Sequence, residues 1–299
     1  MNNKEIKGVI IRNPYNHYES MEHQISRLKE EAKNLNITLD VLDNDGTLIT
    51  LEHDDIVNHL NKKYGKVYNF VIYLDKDKYL SQLLEISGLR LFNSSKAIEL
   101  CDDKMLTHIA LAKKGITMPK TIASSLCYVK DSQVSIDTID KIIQELGLPC
   151  VVKENFGSLG EQVYLAHTKE ELIDLANKLM YKPHLYQEFI QASYGSDIRC
   201  IVVGHQVIAA MNRRNSGDFR ANIGQGGTAY PIEINHETEQ MAIKASEILG
   251  LDYCGVDILM DGEKPYLCEV NSNAFFKGIE SLTQVNVAKA YLEYVLSVI

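Results

Sequence analysis

The first hundred residues alternate between short apolar runs and one amphipathic stretch. Residues 8–12 and 70–74 are continuous apolar runs, which predict buried strands, and residues 37–42 predict another strand. Between the first two strands, apolar residues recur every three or four positions from Met21 to Leu35, which predicts a helix with one face in the core. Strands that alternate with helices predict a parallel, doubly wound α/β sheet.

The turn after the first strand argues against a nucleotide in this sheet. It reads Asn13-Pro14-Tyr15-Asn16 and contains none of the glycines that let a backbone approach a pyrophosphate. We therefore predict a first domain over residues 1–95 that binds substrate or serves as a scaffold.

Two α+β units follow. A helix from about Ser95 carries Asp103-Lys104 and ends near Gly115 and Pro119. The pattern then predicts a central lobe over residues 96–183, with strands at 150–153 and 162–165 around a glycine-bearing turn at 157–160, and helices at 136–146 and 169–180. A third unit over residues 184–299 opens with a strand at 185–190 and continues as antiparallel sheet, with strands at 198–203, 207–212, 254–260 and 266–271 and a helix at 237–249.

Composition narrows the class of protein. The chain has 299 residues, enough for two or three cores, with 45% hydrophobic and 24% charged residues, as in a globular enzyme. Its formal net charge of -9 opposes nucleic-acid binding through phosphate neutralisation. The six cysteines form no C-x-x-C pair, so they are expected to be reduced core residues. Met1 to Lys7 is polar and no apolar run is long enough to span a membrane, so we expect a cytoplasmic protein with no membrane partner.

The last two strands carry the clearest chemical pattern. A tight Asp-Gly turn joins them, so they should pair, and strand alternation places Glu269 and Asn271 on one face and Cys268 on the other. Together with Asp257, these side chains supply the hard oxygen ligands that magnesium takes. The same pattern alone equally describes the solvent face of an amphipathic hairpin, so it requires corroboration.

Further candidates are basic residues near loops that could surround a phosphate group. Lys153 lies on a strand before the glycine turn, where a lysine and loop amides can hold phosphate oxygens, although a strand-edge lysine is more often merely solvated. Lys104 could also reach a phosphate, although a lysine on a charged helix is most often a surface residue. The backbone of residues 186–190 could pair with an adenine edge or be a plain interdomain strand. Arginine forks suit phosphate and carboxylate oxygens, which makes Arg199, Arg214 and Arg220 the candidate catalytic residues.

The order of these elements resembles the ATP-grasp superfamily, and most closely its RimK-type glutamate ligases, over almost the whole chain. The matching segments are CDDKMLTHIALAKKGITMPKT, PCVVKENFGSLGEQVYLA, LYQEFIQASYGSDIRCIVVGHQVIAAMNRR, GDFRANIGQGGTA and GVDILMDGEKPYLCEVNSNAFFKGIE. Each segment is weak alone, but together and in order they are highly specific. The resemblance implies a Rossmann-like domain in front of two lobes that grip ATP.

The resemblance also implies roles for individual residues. ATP would be bound by Lys104, Lys153, Gly157, Ser158, Gly160, Gln187, Glu188, Phe189, Ile190, Asp197, Arg220 and Asn222. Asp257, Glu269 and Asn271 would hold two Mg²⁺ ions, with Mn²⁺ as an alternative. The implied chemistry is phosphoryl transfer from ATP to a carboxylate, followed by attack of an amine on the acylphosphate.

Two segments depart from the RimK pattern on the acceptor side. They are Gly224-Gln225-Gly226-Gly227 and residues 272–278, and because of them we carry over neither glutamate nor a ribosomal protein as substrate. We predict that the loop at 272–278 sets substrate choice. Lys277 and Arg214 could pair with a second carboxylate, although a solvated Lys277 fits the sequence somewhat better. Free amino acids, peptides and small acids stay open as substrates. An acceptor other than an amine, a non-catalytic nucleotide-binding protein and a homo-oligomer also stay open.

Overall fold

The computed structural model of the chain describes residues 5–60 and 67–299. Residues 1–4 of the polar N-terminus and 61–66 of the first domain lie outside the described residues. The first unit contains β1 (Ile6–Arg12), α1 (Glu19–Asn34), β2 (Ile37–Asp43), β3 (Ile49–Glu52), β4 (Asp55–Asn58), β5 (Phe70–Leu74), α2 (Lys78–Ile86) and β6 (Leu91–Phe92). After two helices, α3 (Ser95–Asp102) and α4 (Lys104–Leu111), the central lobe contains β7 (Thr121–Ala123), α5 (Ile136–Leu146), β8 (Cys150–Glu154), β9 (Val163–Ala166), α6 (Lys169–Lys178) and β10 (His184–Glu188). The third unit contains β11 (Ser196–Val203), β12 (Gln206–Arg214), β13 (Thr228–Pro231), α7 (His236–Leu249), β14 (Tyr253–Asp261), β15 (Lys264–Asn271), α8 (Lys277–Thr283) and α9 (Val287–Val298).

The N-terminal sheet is parallel, as predicted, in the order β2-β1-β5-β6. Its strands are continuous apolar runs because helices cover both faces; all five residues of β5 are buried. The chain leaves β1 towards β2 on one side and β5 towards β6 on the other. The carboxyl ends of β1 and β5 therefore flank the point at which the strand order reverses.

The central lobe is an antiparallel sheet in the order β7-β10-β8-β9, covered by α5 and α6. The sequence assigned the strand at 185–190 to the third unit. The structure instead pairs β10 with β7 and β8 in the central sheet, because its buried residues Leu185 and Tyr186 extend that sheet.

The third unit is a five-stranded antiparallel sheet in the order β13-β12-β11-β14-β15. Helices α3 and α4 lie in the range that the sequence gave to the central lobe, yet they pack on this sheet together with α7. Their apolar residues Ala97, Cys101 and Leu111 share one core with Cys200 of β11 and Met241 of α7. The first part of the range 96–183 is thus part of the third lobe's core.

The opposite face of the third sheet packs against the N-terminal domain. One continuous core joins Ile10 and Phe70 of that domain to Ile201, Tyr253 and Tyr291 of the third unit. Because this core is shared, the N-terminal domain is held firmly against the last lobe. Within the described residues, no helix is both long enough and apolar enough to cross a bilayer.

Candidate functional site

A cleft between the central and third lobes collects most of the predicted nucleotide residues. Its walls include Lys153, Gly160, Gln187, Glu188, Phe189, Ile190, Asp197, Arg220 and Asn222, with Asp257 and Glu269 at one end. The residues come from β8, β10, β11, β14, β15 and three loops, so the cleft exists only when the two sheets face each other. Lys104, Gly157 and Ser158 do not line this cleft.

The strand β10 is anchored from behind by a buried polar network. The side-chain amide of Gln187 donates to Thr121 Oγ1 at 2.9 Å and lies 3.1 Å from His108 Nε2. Burial, aided by the nearby ammonium of Lys153, lowers the pKa of His108 to about 4, so this ring is neutral at physiological pH. The Gln187 side chain is held by this network, and β10 itself pairs with β7 and β8 on its two sides. Contact between the backbone of residues 187–190 and an adenine edge stays a prediction.

Two buried lysines lie near Glu269 and Cys268: Lys153 lines the cleft, whereas Lys104 contacts Glu269 without lining it. The ammonium of Lys153 lies 3.7 Å from Cys268 Sγ. The ammonium of Lys104 lies 3.4 Å from a Glu269 oxygen and 3.4 Å from the carbonyl oxygen of Gly157. Lys104 therefore connects the glycine turn to a predicted metal ligand.

The glycine turn at 157–160 packs on the loop of the third lobe that contains Asp218 and Arg220. The carbonyl oxygen of Gly160 accepts a hydrogen bond from Arg220 Nη1 at 2.6 Å, and Asp218 holds the other side of that guanidinium at 2.7 Å. Gly160 has a φ of +76°, and a Cβ there would lie 2.9 Å from Asn222 Oδ1. This close approach explains a glycine at 160. Ser158, on the other side of the turn, lines a second cavity.

A ladder of buried charges joins the two ends of the cleft. Arg213 binds Asp197 through two hydrogen bonds of 2.7 and 2.6 Å and reaches Asp257 at 3.0 Å. Arg199 binds the same Asp257 through two bonds of 2.6 and 2.5 Å. Burial alone would raise the pKa of Asp257, but the guanidiniums of Arg199 and Arg213 outweigh it and lower that pKa to about 2. Asp257 is therefore ionised, and its charge is matched by two arginines.

The sequence indicated Arg214 as a candidate catalytic residue, but its neighbour Arg213 is the arginine that lines the cleft. The structure leaves Arg214 exposed, with its Nε donating to Asn212 at 3.0 Å, and does not bring it into the cleft. Because alternate residues of β12 face opposite sides, only one of two adjacent arginines can face the nucleotide. The pairing of Arg213 with Asp197 across the β11–β12 hairpin is the signal that could have found it.

The predicted metal ligands meet on the β14–β15 hairpin. Asp257 lies opposite Glu269, and Asn271 lies opposite Gly255 two residues further along. The prediction that Cys268 faces away is wrong, because a β-bulge places both Cys268 and Glu269 in the wall of the cleft. Burial raises the pKa of the Cys268 thiol, so it stays protonated.

The donor set fits a hard divalent cation. It consists of two carboxylates and one amide, whose oxygen atoms are the ligand type that magnesium takes. Among the described residues, the Asn271 Nδ2 is buried without a hydrogen-bond partner, and as an N–H donor it would not bind the cation itself. Each carboxylate is already balanced by Arg199, Arg213 or Lys104. The described residues contain no cluster of three His, Cys, Asp or Glu side chains that would indicate a different metal site.

A second cavity adjoins the cleft and reaches the N-terminal domain. Asn222 and Glu269 line both spaces. The far wall comes from the ends of the parallel strands and from α3, and the near wall comes from the loop after β15; the lining residues include Asn13, Asn16, Asp75, Lys76, Asp102, Arg199 and Ser272–Phe275. The sequence assigned the first domain to substrate or scaffold without naming these residues, although polar residues directly after parallel strands are a usable signal.

The loop at 272–278 divides between this cavity and the core. Ser272, Asn273, Ala274 and Phe275 line the cavity, whereas Phe276 is fully buried. Lys277 pairs with Glu19 of α1 and does not line the cavity. Control of substrate choice by this loop stays a prediction, now confined to residues 272–275.

Comparison with known proteins agrees with this geometry. The family model of the RimK-like ATP-grasp domain matches residues 101–295. A probable alpha-L-glutamate ligase of Maridesulfovibrio salexigens is 39% identical over 71% of this chain and 68% of its own length. An uncharacterised protein of Mycoplasma pneumoniae is 32% identical over 89% of this chain and 91% of its own.

Solved structures share the fold at low identity. The ATP-grasp ligase PsnB, complexed with a variant of its minimal precursor, Mg and ADP, has a TM-score of 0.70 at 18% identity and covers 99% of both chains. The ATP complex of D-alanine–D-alanine ligase from Bacillus anthracis has a TM-score of 0.71 at 18% identity, over 98% of this chain and 96% of that one.

The fold and the cleft thus define an ATP-grasp protein, which confirms the predicted fold class. Within that class, the chain belongs to the RimK-like family, as the sequence resemblance indicated. The expectation that it is a ligase is confirmed at the level of this family.

Proposed function

We propose that this chain is an ATP- and Mg²⁺-dependent ligase that joins a carboxylate to an amine through an acylphosphate. One observation carries the proposal: Asn222 and Glu269 line both the nucleotide cleft and the second cavity. The phosphate end of a nucleotide in the cleft would therefore open onto a second substrate space that reaches the N-terminal domain.

The proposed reaction has two steps. The γ-phosphoryl group moves from ATP to a carboxylate oxygen, and ADP leaves. The nitrogen, as the neutral amine, then attacks the acyl carbon, so a C–N bond forms and the C–O bond to phosphate breaks. The phosphate leaves with the proton that the nitrogen loses, and an amine that arrives as ammonium first releases one proton to solvent. Lys153, Lys104 and Arg220 neutralise phosphate charge, Asn222 contributes an amide at the junction of the two spaces, and the turn at 157–160 covers the phosphates.

Asp257, Glu269 and Asn271 are the proposed magnesium ligands, through oxygen atoms of the type that this ion prefers. Held by these residues, the ion would supply positive charge that offsets the negative charge developed during phosphoryl transfer. ATP and magnesium are supported by the neighbouring ATP-grasp structures solved with ATP, or with Mg and ADP. Two ions, with Mn²⁺ as an alternative, follow from the family resemblance.

The experiment is to incubate the protein with ATP, Mg²⁺ and pooled amino acids and short peptides. ADP, phosphate and a product of amide mass are expected, with glutamate the first amine to identify because relatives are named glutamate ligases. AMP and pyrophosphate would contradict the acylphosphate route. Phosphate ester or thioester products would indicate a different acceptor. ATP binding without turnover on any pool would favour a non-catalytic protein.

Glu269→Ala and Asn271→Ala test the metal ligands. Each variant should abolish Mg²⁺-dependent turnover and retain the wild-type circular dichroism spectrum. Glu263→Ala is the matched control, because Glu263 is an exposed carboxylate in the turn of the same hairpin. Near-normal rates in both ligand variants would contradict the assignment of Glu269 and Asn271 as metal ligands.

A cytoplasmic location belongs to the same proposal, and fractionation of cells would test it.

A further inference from the structure

One buried carboxylate of the second cavity has no role in the chemistry described above. Asp75 directly follows β5 and is only 5% exposed, yet it lines the cavity. It lies at the point where the strand order of the parallel sheet reverses, beside Asn13 at the end of β1. Crevices at such switch points are where open α/β sheets bind ligands.

The hydrogen bonds of Asp75 fix its orientation and come only from N–H groups. The Asn13 amide donates to Oδ1 at 3.0 Å, the Asn44 amide donates to Oδ2 at 3.1 Å, and the backbone N–H of Lys76 donates to Oδ1 at 2.7 Å. The ends of β1, β2 and β5 thus hold one carboxylate in place. These three donors satisfy the buried carboxylate, but none of them carries a positive charge.

The charges of the cavity wall explain which ligand Asp75 suits. Lys76 pairs with Asp102 at 2.8 Å, Glu269 with Lys104 at 3.4 Å, and Arg199 with Asp257 at 2.5 Å. Among the described residues, Asp75 has no Lys, Arg or His partner within ion-pair distance. The wall therefore carries one uncompensated negative charge, at its N-terminal-domain side.

The opposite wall adds an acceptor. Asn273, in the loop after β15, also lines the cavity, and its Oδ1 is buried without a hydrogen-bond donor. Within the described residues, the Asp75 carboxylate has N–H donors but no cation, and the Asn273 amide oxygen has no donor. Together they are complementary to a group with several N–H donors and a positive charge. A primary ammonium group has three such donors.

We propose that Asp75, aided by Asn273, binds the ammonium group of an amino-acid substrate in the second cavity. This inference rests on the proposed function and names the amine substrate as one that arrives with a free ammonium group. Asp75 is a binding residue in this proposal and takes no part in phosphoryl transfer. Asn13 and Asn44 position it.

Calorimetry on the full chain with Mg²⁺ and ADP tests the proposal. The dissociation constant is measured for each protein amino acid and then, for the tightest ligand, for the analogue in which hydrogen replaces the ammonium group, such as glutarate for glutamate. Asp75→Asn should weaken the amino acid by about 10- to 100-fold, as for loss of a charge-assisted hydrogen bond, and leave the analogue unchanged. Asp43→Asn is the matched control, since exposed Asp43 ends β2 and pairs with half-buried Arg12, and neither residue lines the cavity.

Three results would overturn the proposal: equal affinity of wild type and Asp75→Asn for the amino acid, equal loss for amino acid and analogue, or no preference of wild type for any amino acid over its analogue. If Asp75→Asn fails to fold, Asn273→Ala replaces it and should weaken only the amino acid. If no amide product forms but Asp75→Asn still weakens binding of the amino acid, the proposed function is contradicted and the ammonium site is retained. Amide formation with an unchanged KM for the amine in Asp75→Asn would remove the ammonium site alone.

Discussion

Arg213 neutralises two buried carboxylates at once, Asp197 and Asp257, and is itself 3% exposed. Its bonds connect Asp197, an expected ATP-binding residue, with Asp257, an expected metal ligand. Burial would lower the pKa of this guanidinium, but the two carboxylates outweigh it and raise that pKa, so the charge is permanent. The ladder therefore has a fixed charge in its centre whether or not ligands are bound.

Arg213→Met should lower the free energy of unfolding by about 3 kcal/mol, because it leaves Asp197 buried without its cation. Urea denaturation followed by circular dichroism measures this effect. Arg214→Met is the matched control, one residue along β12 and exposed, and should change stability by less than about 0.5 kcal/mol. Equal effects in the two variants would contradict the central position of Arg213.

His108 predicts a pH dependence of stability. Its pKa falls from 6.5 to about 4 on folding, so the unfolded chain binds the proton more tightly. The contribution of the neutral His108 ring to the free energy of unfolding is fully present above about pH 6.5. It is lost as the pH falls towards 4, and the loss reaches about 3 kcal/mol in total. His108→Gln should flatten this slope in urea titrations between pH 7.5 and 4.5, whereas exposed His167→Gln should retain it. An unchanged slope in His108→Gln would show that other groups cause it.

At the scale of elements, strand and helix patterns in the sequence predicted most of the sheets, and the reasons for the errors are local. Alternation predicted a common face for Glu269 and Asn271, but a bulge at Cys268 depends on how β14 and β15 twist together. The strand at 184–188 was predicted, but not its partners, because apolar residues show only that a strand is buried. Asp197, Lys153 and Arg220 could be chosen from motif order, whereas Arg213 and Asp75 required the cross-strand and cross-sheet neighbours.

The glycine turn between β8 and β9 yields a prediction at this scale. Gly160→Ala should strain a φ of +76° and press a Cβ against Asn222, so we expect a stability loss of about 1 kcal/mol and a raised KM for ATP. The KM for ATP and the urea midpoint are measured together. Gly224→Ala serves as control, since that glycine has open space around its Cβ position. If Gly160→Ala binds ATP as wild type does, the turn does not cover the phosphates.

The whole molecule depends on how the N-terminal domain is held on the third lobe. Arg90 pairs with Asp252 at 2.8 Å, and Tyr294 donates to the same carboxylate at 2.8 Å. The shared apolar core lies behind these contacts. This docking forms one wall of the second cavity, so the position of Asp75 relative to the nucleotide cleft depends on it, and no local sequence pattern encodes such a long-range placement.

Asn93 is the polar centre of that docking. Its side chain is 2% exposed and makes four hydrogen bonds to the backbone of the third lobe: Nδ2 donates to the carbonyl oxygens of Tyr253 and Ser272 at 2.7 and 2.8 Å, and Oδ1 accepts from the N–H groups of Asp252 and Tyr253 at 2.7 and 3.0 Å. Ser272 directly follows Asn271, so the same side chain also fixes the start of the loop at 272–278.

Asn93→Ala leaves these four buried backbone groups without partners, and we expect the free energy of unfolding to fall by about 3 kcal/mol. Because the loop at Ser272 loses its anchor as well, the KM for the amine should rise more than the KM for ATP. Asn69→Ala is the control: its side chain bonds only within the N-terminal domain and is exposed. Denaturation curves and the KM values for amine and ATP test whether Asn93 anchors the N-terminal domain on the third lobe. An Asn93 variant with wild-type stability would mean that the apolar core alone holds the two units together.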